Sequence, residues 1–206
     1  LIWGASGGIG SALVKTLKSN GWTVYGAARN ELNIPDEADA TFHFDADDPF
    51  TFDQVQMLVA QETETLDLII YAAGGLRANP LEKLDPDDWQ TTMAVNVNGA
   101  FLAANKGLSV LDKDGHLVII SAYVEKIILP RMGAYVAAKS ALETMFKVLQ
   151  KENRKRNLTI VRPPAVDTPF WENVPFNLPD GAMQPQAVAE AIFEHISTDE
   201  TGELNL

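Results

Sequence analysis

Gly4-Ala5-Ser6-Gly7-Gly8-Ile9-Gly10 stands between a short apolar run, Leu1 to Trp3, and a segment with helical spacing at 8–19. The glycine spacing suits a turn whose backbone a diphosphate can approach. Glycine tolerates positive φ and carries no Cβ to hold a ligand off. The helix that follows offers unpaired N–H groups and the positive end of its dipole. Ser6 is a candidate hydroxyl donor in the same loop. A glycine-rich turn that only packs strand against helix has the same composition, but the place between strand and helix favours phosphate binding.

Downstream, short apolar runs alternate with longer helical patterns. Strands are expected at 1–3, 23–28, 41–44, 66–72, 116–121 and 158–162, with a last one at 203–206. Helices are expected at 8–19, 51–63, 86–111, 132–152 and 185–197. Leu66 to Ala72 and Leu117 to Ile120 are apolar on both faces, as parallel strands covered by helices on both sides read. Asp85-Pro86 supplies a cap residue and then proline at the first helical position. The alternation implies one α/β domain over 1–206, a doubly wound parallel sheet of the Rossmann type in three layers, α/β/α. Right-handed crossovers place the ligand crevice at the carboxyl ends of the strands. The proline-rich stretch 163–185 is expected to form a lid, since long loops in compact domains are usually functional. Three residues before the first glycine make a clipped strand, so the sequence reads as a trimmed portion of a longer chain, with 202–206 also stopping early.

With 206 residues, 46% of them apolar, the chain suits one domain with a sizeable core. No apolar run reaches membrane-spanning length, and no secretory signal pattern is present, so neither membrane partner nor export is expected. The absence of cysteine excludes disulfides, thiolate metal sites and a cysteine nucleophile. It fits a cytoplasmic location, and no metal is expected. A net charge of −12 would repel nucleic acid. Lys147, Lys151, Arg154, Lys155 and Arg156 form one basic cluster, read as a solvated helix end that suits the macrodipole.

The choice of dinucleotide falls at the end of the second strand, Tyr25-Gly26-Ala27-Ala28-Arg29-Asn30. An acid there would serve the ribose hydroxyls of NAD. Ala28 holds that place, and the Arg29 that follows can grip a 2′-phosphate with two hydrogen bonds. NADP is therefore the expected cofactor and NAD the lesser one. Arg29 as a plain surface residue, or Glu31 serving NAD from a loop folded back, are the alternatives.

The glycine motif at Gly4, Gly8 and Gly10, Asn96, the run Tyr135-Val136-Ala137-Ala138-Lys139, and Pro163 to Thr168 together resemble the short-chain dehydrogenase/reductase family, classical type. The resemblance covers nearly the whole chain. It implies a cofactor site of Gly4, Ser6, Gly7, Gly8, Ile9, Gly10, Arg29, Asp45, Ala46, Ala72, Ala73, Gly74, Tyr135, Lys139, Pro163, Val166 and Thr168. By it, Asp45 contacts the adenine amino group with Ala46 alongside, and Ala72-Ala73-Gly74 lies beside a ribose. The main chain of Val166 faces the nicotinamide carboxamide, and Thr168 offers a hydroxyl. Asn96 is similar to the residue that holds a water in the family's proton relay. Two departures stand out. Tyr71 and Ala72 replace two asparagines, and Pro164 replaces a glycine.

Tyr135 and Lys139 lie four apart and share a helix face that Leu142, Phe146 and Leu149 continue inward. An isolated tyrosine titrates near ~10 and is a poor base at neutral pH. An ammonium about 4 Å away contributes roughly 4 kcal/mol at an effective dielectric of about 20, enough to lower that value by up to a few units. Tyr135 would then exchange a proton with a carbonyl or alcohol oxygen. Lys139, by the resemblance, also hydrogen-bonds a ribose.

The third member of the family's catalytic set is a serine, and its place falls on Ala122. Ser121 is one residue earlier and points to the opposite face of a regular strand. A bulge that turns Ser121, a hydroxyl from Tyr123, or a site without this donor are the open alternatives. The catalytic candidates are therefore Tyr135, Lys139, Asn96 and Ser121. Phe170, Trp171 and Phe176 either roof a substrate pocket opposite Tyr123 and Met132 or belong to the core.

Two functions follow. One is NADP-dependent hydride transfer between a carbonyl and an alcohol, on a small-molecule substrate of hydrophobic or aromatic character. The other is an NADP-binding sensor or interaction module with little turnover. A homodimer or homotetramer is expected through helices 86–111 and 132–152, where Ala100, Ala103, Ala104, Ala134, Ala137, Ala138 and Ala141 permit close approach or pack on the sheet.

Overall fold

Strand residues in this chain alternate between two apolar layers, and that alternation builds the molecule. In the computed structural model, which describes residues 1–198 and 200–206, seven parallel strands form one sheet. They are β1 (Ile2–Trp3), β2 (Tyr25–Ala28), β3 (Ala40–His43), β4 (Leu66–Tyr71), β5 (Leu111–Ile120), β6 (Asn157–Arg162) and β7 (Gly202–Asn205). Their order is β3-β2-β1-β4-β5-β6-β7. Trp3, Ala27, Ile69, Leu117, Ile119 and Ile160 face one layer. Ile2, Ala28, Ile70, Val118, Ile120 and Val161 face the other. A strand with apolar residues on both sides must be covered twice.

The first layer is closed by α2 (Phe50–Glu62), α4 (Gly99–Val110) and α5 (Gly133–Glu152), through Phe52, Ala103, Leu142 and Phe146 among others. The second is closed by α1 (Gly8–Ser19) and α6 (Pro185–Ser197), through Leu13, Leu17, Val188 and Ile192. Trp3 is the aromatic centre of the first layer, with Phe44 at 5.0 Å and Phe52 at 4.8 Å between ring centroids. Asp85 caps α3 (Pro86–Met93) by accepting from the Asp87 N–H at 2.8 Å, with Pro86 at the first helical position.

Three expectations change. The single helix over 86–111 is two helices, α3 and α4, joined by a π-turn at Ala94–Asn98, and Leu111 already belongs to β5. That strand is longer than 116–121, with a register shift against β4 between Leu66 and Leu68. The basic cluster is not wholly solvated. Arg156 donates to the carbonyl of Leu108 in the last turn of α4 and to those of Leu111 and Asp112 at the start of β5.

The strand order reverses between β1 and β4, with β2 and β3 to one side and β5 to β7 to the other. Parallel α/β sheets open their ligand crevice at such a reversal, beyond the carboxyl ends of the strands.

Candidate active site

The glycine loop sits in that crevice. Gly4 follows β1 with φ +84°, and a Cβ there would lie 2.6 Å from the Ala73 nitrogen beyond β4. Only glycine meets both conditions without strain. Gly7 is the N-cap of α1 and offers no side-chain cap, so the first-turn N–H groups of Gly8, Ile9 and Gly10 are left for an anion. Ile9 packs on the second core layer, which fixes the start of the helix. Ser6 is half-buried beside them. Ala72, Ala73 and Gly74 continue β4 into the same crevice.

At the far end of the crevice, Arg29 is exposed at the end of β2 and makes no ion pair among the described residues. Its carbonyl is bonded to His43 Nδ1 at 3.1 Å. Glu31 lies in a 3-10 turn, Glu31–Asn33, that Asn30 caps through Leu32 N–H. Asp45 and buried Ala46 follow β3. The Thr51 hydroxyl accepts from the Asp45 N–H at 3.1 Å and has its single proton within reach of the carbonyls of Asp48, at 2.7 Å, and Asp45, at 3.0 Å, which holds that turn.

Tyr135 and Lys139 come together on the inner face of α5, both buried. Leu142 and Phe146 continue the face into the first core layer, and Leu149 packs partly buried against it. The lysine ammonium stands 5.6 Å from the Tyr135 ring centre and donates to the Ile120 carbonyl at 3.0 Å. Burial lowers the Lys139 pKa from 10.5 to about 8, against the attraction of Glu143, which raises it. The same burial pushes the Tyr135 hydroxyl above its ordinary value. The sequence-based expectation of a lowered tyrosine is therefore reversed in this state, because desolvation outweighs an ammonium that is turned to a carbonyl.

The start of α5 is set by a turn in which Arg131 has φ +68° and accepts from the Asn79 N–H at 3.1 Å. That bond ties loop 75–85 to the loop after β5. Leu76, Met132 and Tyr135 form a third, small apolar cluster, joined by Ala78, Ile127, Val136, Phe170 and Val174. The Phe170 ring lies 5.4 Å from that of Tyr135. Stretch 163–185 thus covers the tyrosine with a short 3-10 helix, Pro169–Asn173, and is stitched at its base by Asp167 N–H to Met183 O. Pro163 and Val166 are buried under it. Thr168 rests its methyl on Gly8, filling the space a Cβ would take. Trp171 and Phe176 stay outside this cluster.

Asn96 is fully buried in the π-turn. Its Nδ2 donates to Gly75 O at 2.7 Å and Thr92 O at 2.8 Å, while Oδ1 has no partner among the described residues. Ser121 is buried just past β5, its hydroxyl likewise unpartnered. Tyr123 is engaged elsewhere and donates to Leu206 O at 3.2 Å. The reading of the sequence missed Leu76 and the Gly75 carbonyl, which reach the site only through the fold. It also left Tyr71 as a mere replacement. The Tyr71 hydroxyl donates to Val95 O at 2.6 Å.

Comparison with known proteins agrees with this fold. A family model described as short chain dehydrogenase matches residues 1–177. An uncharacterised oxidoreductase of Staphylococcus haemolyticus is 28% identical, over 93% of this chain and 87% of the relative. The alcohol dehydrogenase of the archaeon Thermococcus sibiricus, solved with 5-hydroxy-NADP, superposes with a TM-score of 0.88 at 24% identity, covering 100% of this chain and 94% of that one. The 3-ketoacyl-(acyl-carrier-protein) reductase of Brucella melitensis, solved with NADH, gives 0.87 at 19% identity, covering 100% and 94%.

Proposed function

The chain belongs to the short chain dehydrogenase family and is an NAD(P)-dependent oxidoreductase; we propose that it interconverts a carbonyl and an alcohol with NADP, Tyr135 exchanging the proton. The observation that carries this is the placement of Tyr135 and Lys139, buried together on α5 at the carboxyl end of the sheet. Solved relatives in fold hold 5-hydroxy-NADP and NADH, and the donors and Cβ-free positions along the crevice suit such a nucleotide. Gly4 to Gly10 and the open first turn of α1 would hold the diphosphate, Arg29 the 2′-phosphate, and Asp45 with Ala46 the adenine. Ala72, Ala73, Gly74, Pro163, Val166 and Thr168 would line the nicotinamide half. When bound, the nicotinamide supplies or accepts hydride.

The residues of the chain handle the proton. Lys139 brings a positive charge beside Tyr135, and turning its ammonium from Ile120 O toward a ribose would favour the phenolate needed for proton transfer. Asn96 Oδ1, as enclosed as the Ser121 oxygen and without a partner among the described residues, would act as an acceptor in the proton path once a water reaches it. Ser121 contributes a hydroxyl only if the end of β5 rotates, because its oxygen is sealed where it stands. The wall of Leu76, Met132, Phe170 and Val174 suits a hydrophobic or aromatic carbonyl compound.

Self-association through α4 and α5 belongs to the same reading. Ala100, Ala103, Ala104, Ala134 and Ala138 are buried within this one chain, so the contact would use the half-buried Ala137 and Ala141 with exposed Phe101 and Val148. Among the described residues no helix is long and apolar enough to cross a membrane; a cytoplasmic site of action is part of the proposal.

Titration of NADPH and NADH by fluorescence, followed by turnover of simple and aromatic ketones, tests the enzyme reading. Tyr135→Phe should keep NADPH binding and lose about 10²- to 10⁴-fold in turnover. A second reading, a nucleotide-binding sensor, is favoured by Ala122 and by the sealed hydroxyl of Ser121. Tight NADPH binding with no turnover across the ketones would select it.

A further inference from the structure

Tyr71, the last residue of β4, stands where the family resemblance placed an asparagine, and its ring runs under the break between α3 and α4. It is fully buried and edge-on to Phe44, with 6.4 Å between ring centroids. Its hydroxyl donates to Val95 O at 2.6 Å, within the π-turn that carries Asn96. A Cβ on Gly99, the first residue of α4, would collide with that hydroxyl. The glycine and the tyrosine therefore fit each other.

A π-turn is rare inside helices and needs something to favour it over continuous α-helix. Here β4 grips it at two points. Tyr71 holds the Val95 carbonyl from below, and the chain just beyond β4 holds the Asn96 amide through Gly75 O. With both Nδ2 protons committed, Oδ1 has one orientation. It faces Gly74, where an added Cβ would lie 3.3 Å from it.

We infer that Tyr71 is a positioning residue, whose hydroxyl locks the π-turn so that Asn96 Oδ1 is held as a fixed acceptor toward the proton path. This rests on the proposed role of Asn96. Burial keeps the Tyr71 hydroxyl protonated well past its ordinary range, so the lock stays a donor wherever the protein is folded.

Amide hydrogen exchange of the full chain tests the lock without turnover. In Tyr71→Phe, protection across residues 94–100 should fall about tenfold, as loss of one buried hydrogen bond implies, while β5 and β6 keep theirs. Unchanged protection there overturns the inference. With NADPH and acetophenone, or a better ketone from the panel, Tyr71→Phe should lower kcat about tenfold with NADPH affinity within about twofold of the parent. The cost should vanish in an Asn96→Ala background, because Tyr71 acts through Asn96. An equal loss in both backgrounds would mean general damage and overturn the inference. If Asn96→Ala itself keeps full kcat, the relay reading fails, and the exchange result alone still decides whether Tyr71 locks the turn.

Discussion

The ammonium of Lys139 donates to the Ile120 carbonyl at 3.0 Å while standing 5.6 Å from the centre of the Tyr135 ring. In this arrangement the charge is spent on the end of β5, and burial governs both titrations. The Lys139 pKa falls from 10.5 to about 8. The folded chain then holds fewer protons than the unfolded one between those values, so stability contributed by this group rises with pH through that window. Below about pH 8 the penalty for the buried charge is present in full, of the order of 3 kcal/mol at 1.36 kcal/mol per unit. Denaturation of the parent and Lys139→Met at pH 7 and pH 9.5 checks this. The parent should gain on the variant at the higher pH, and an unchanged difference would sink the assignment.

Arg29 is the residue on which the nucleotide preference turns. Its exposed guanidinium, without an ion pair among the described residues, can meet a 2′-phosphate without first breaking one. Arg29→Ala should weaken NADPH about 10- to 100-fold and leave NADH nearly unchanged, the range expected for a charged hydrogen-bonding group. Fluorescence titration reads this directly. Equal loss for both nucleotides would place Arg29 outside the phosphate site.

The missing hydroxyl gives a paired test. Ser121 has a sealed oxygen with no partner among the described residues, and Tyr123 is bonded to Leu206. Ala122→Ser should therefore raise turnover, by up to about 10²-fold on the scale of a single oxyanion donor, while Ser121→Ala should change it less than about threefold. A large loss in Ser121→Ala would instead assign Ser121 as the working hydroxyl.

Trp3 carries a stability prediction. Its ring is buried between Phe44 and Phe52, with an indole N–H that finds no partner among the described residues. Trp3→Ala should cost about 3–5 kcal/mol. Trp3→Phe should cost well under half of that, because the polar group lost was unsatisfied. Urea denaturation of the two variants separates these costs.

Much of the fold was legible before any coordinate. The apolar runs at Leu66 to Ala72 and Leu117 to Ile120 read as strands covered twice and fall on β4 and β5, and residues 8–19 and 185–197 match their helices end for end. The glycine loop and the four-residue spacing of Tyr135 and Lys139 pointed to the two halves of the candidate site, since both are local patterns on one element. The π-turn was not legible. Residues 86–111 carry a continuous helical pattern, and the contact proposed to favour the π-turn comes from the hydroxyl of Tyr71, 24 positions before its acceptor.

The sequence by itself determined which chemical groups this protein has at the ends of its strands: glycines without a Cβ, an arginine in place of an acid, a tyrosine and a lysine on one helix face, and alanine at 122. Tertiary structure alone decided their state. Burial of Tyr135 beneath Phe170 raises its proton affinity, the Ile120 carbonyl takes the Lys139 ammonium, and the carbonyls of Gly75 and Thr92 orient the amide of Asn96. Residue type and spacing are written locally along the chain. Desolvation and hydrogen-bond partners depend on what distant segments bring to the same place.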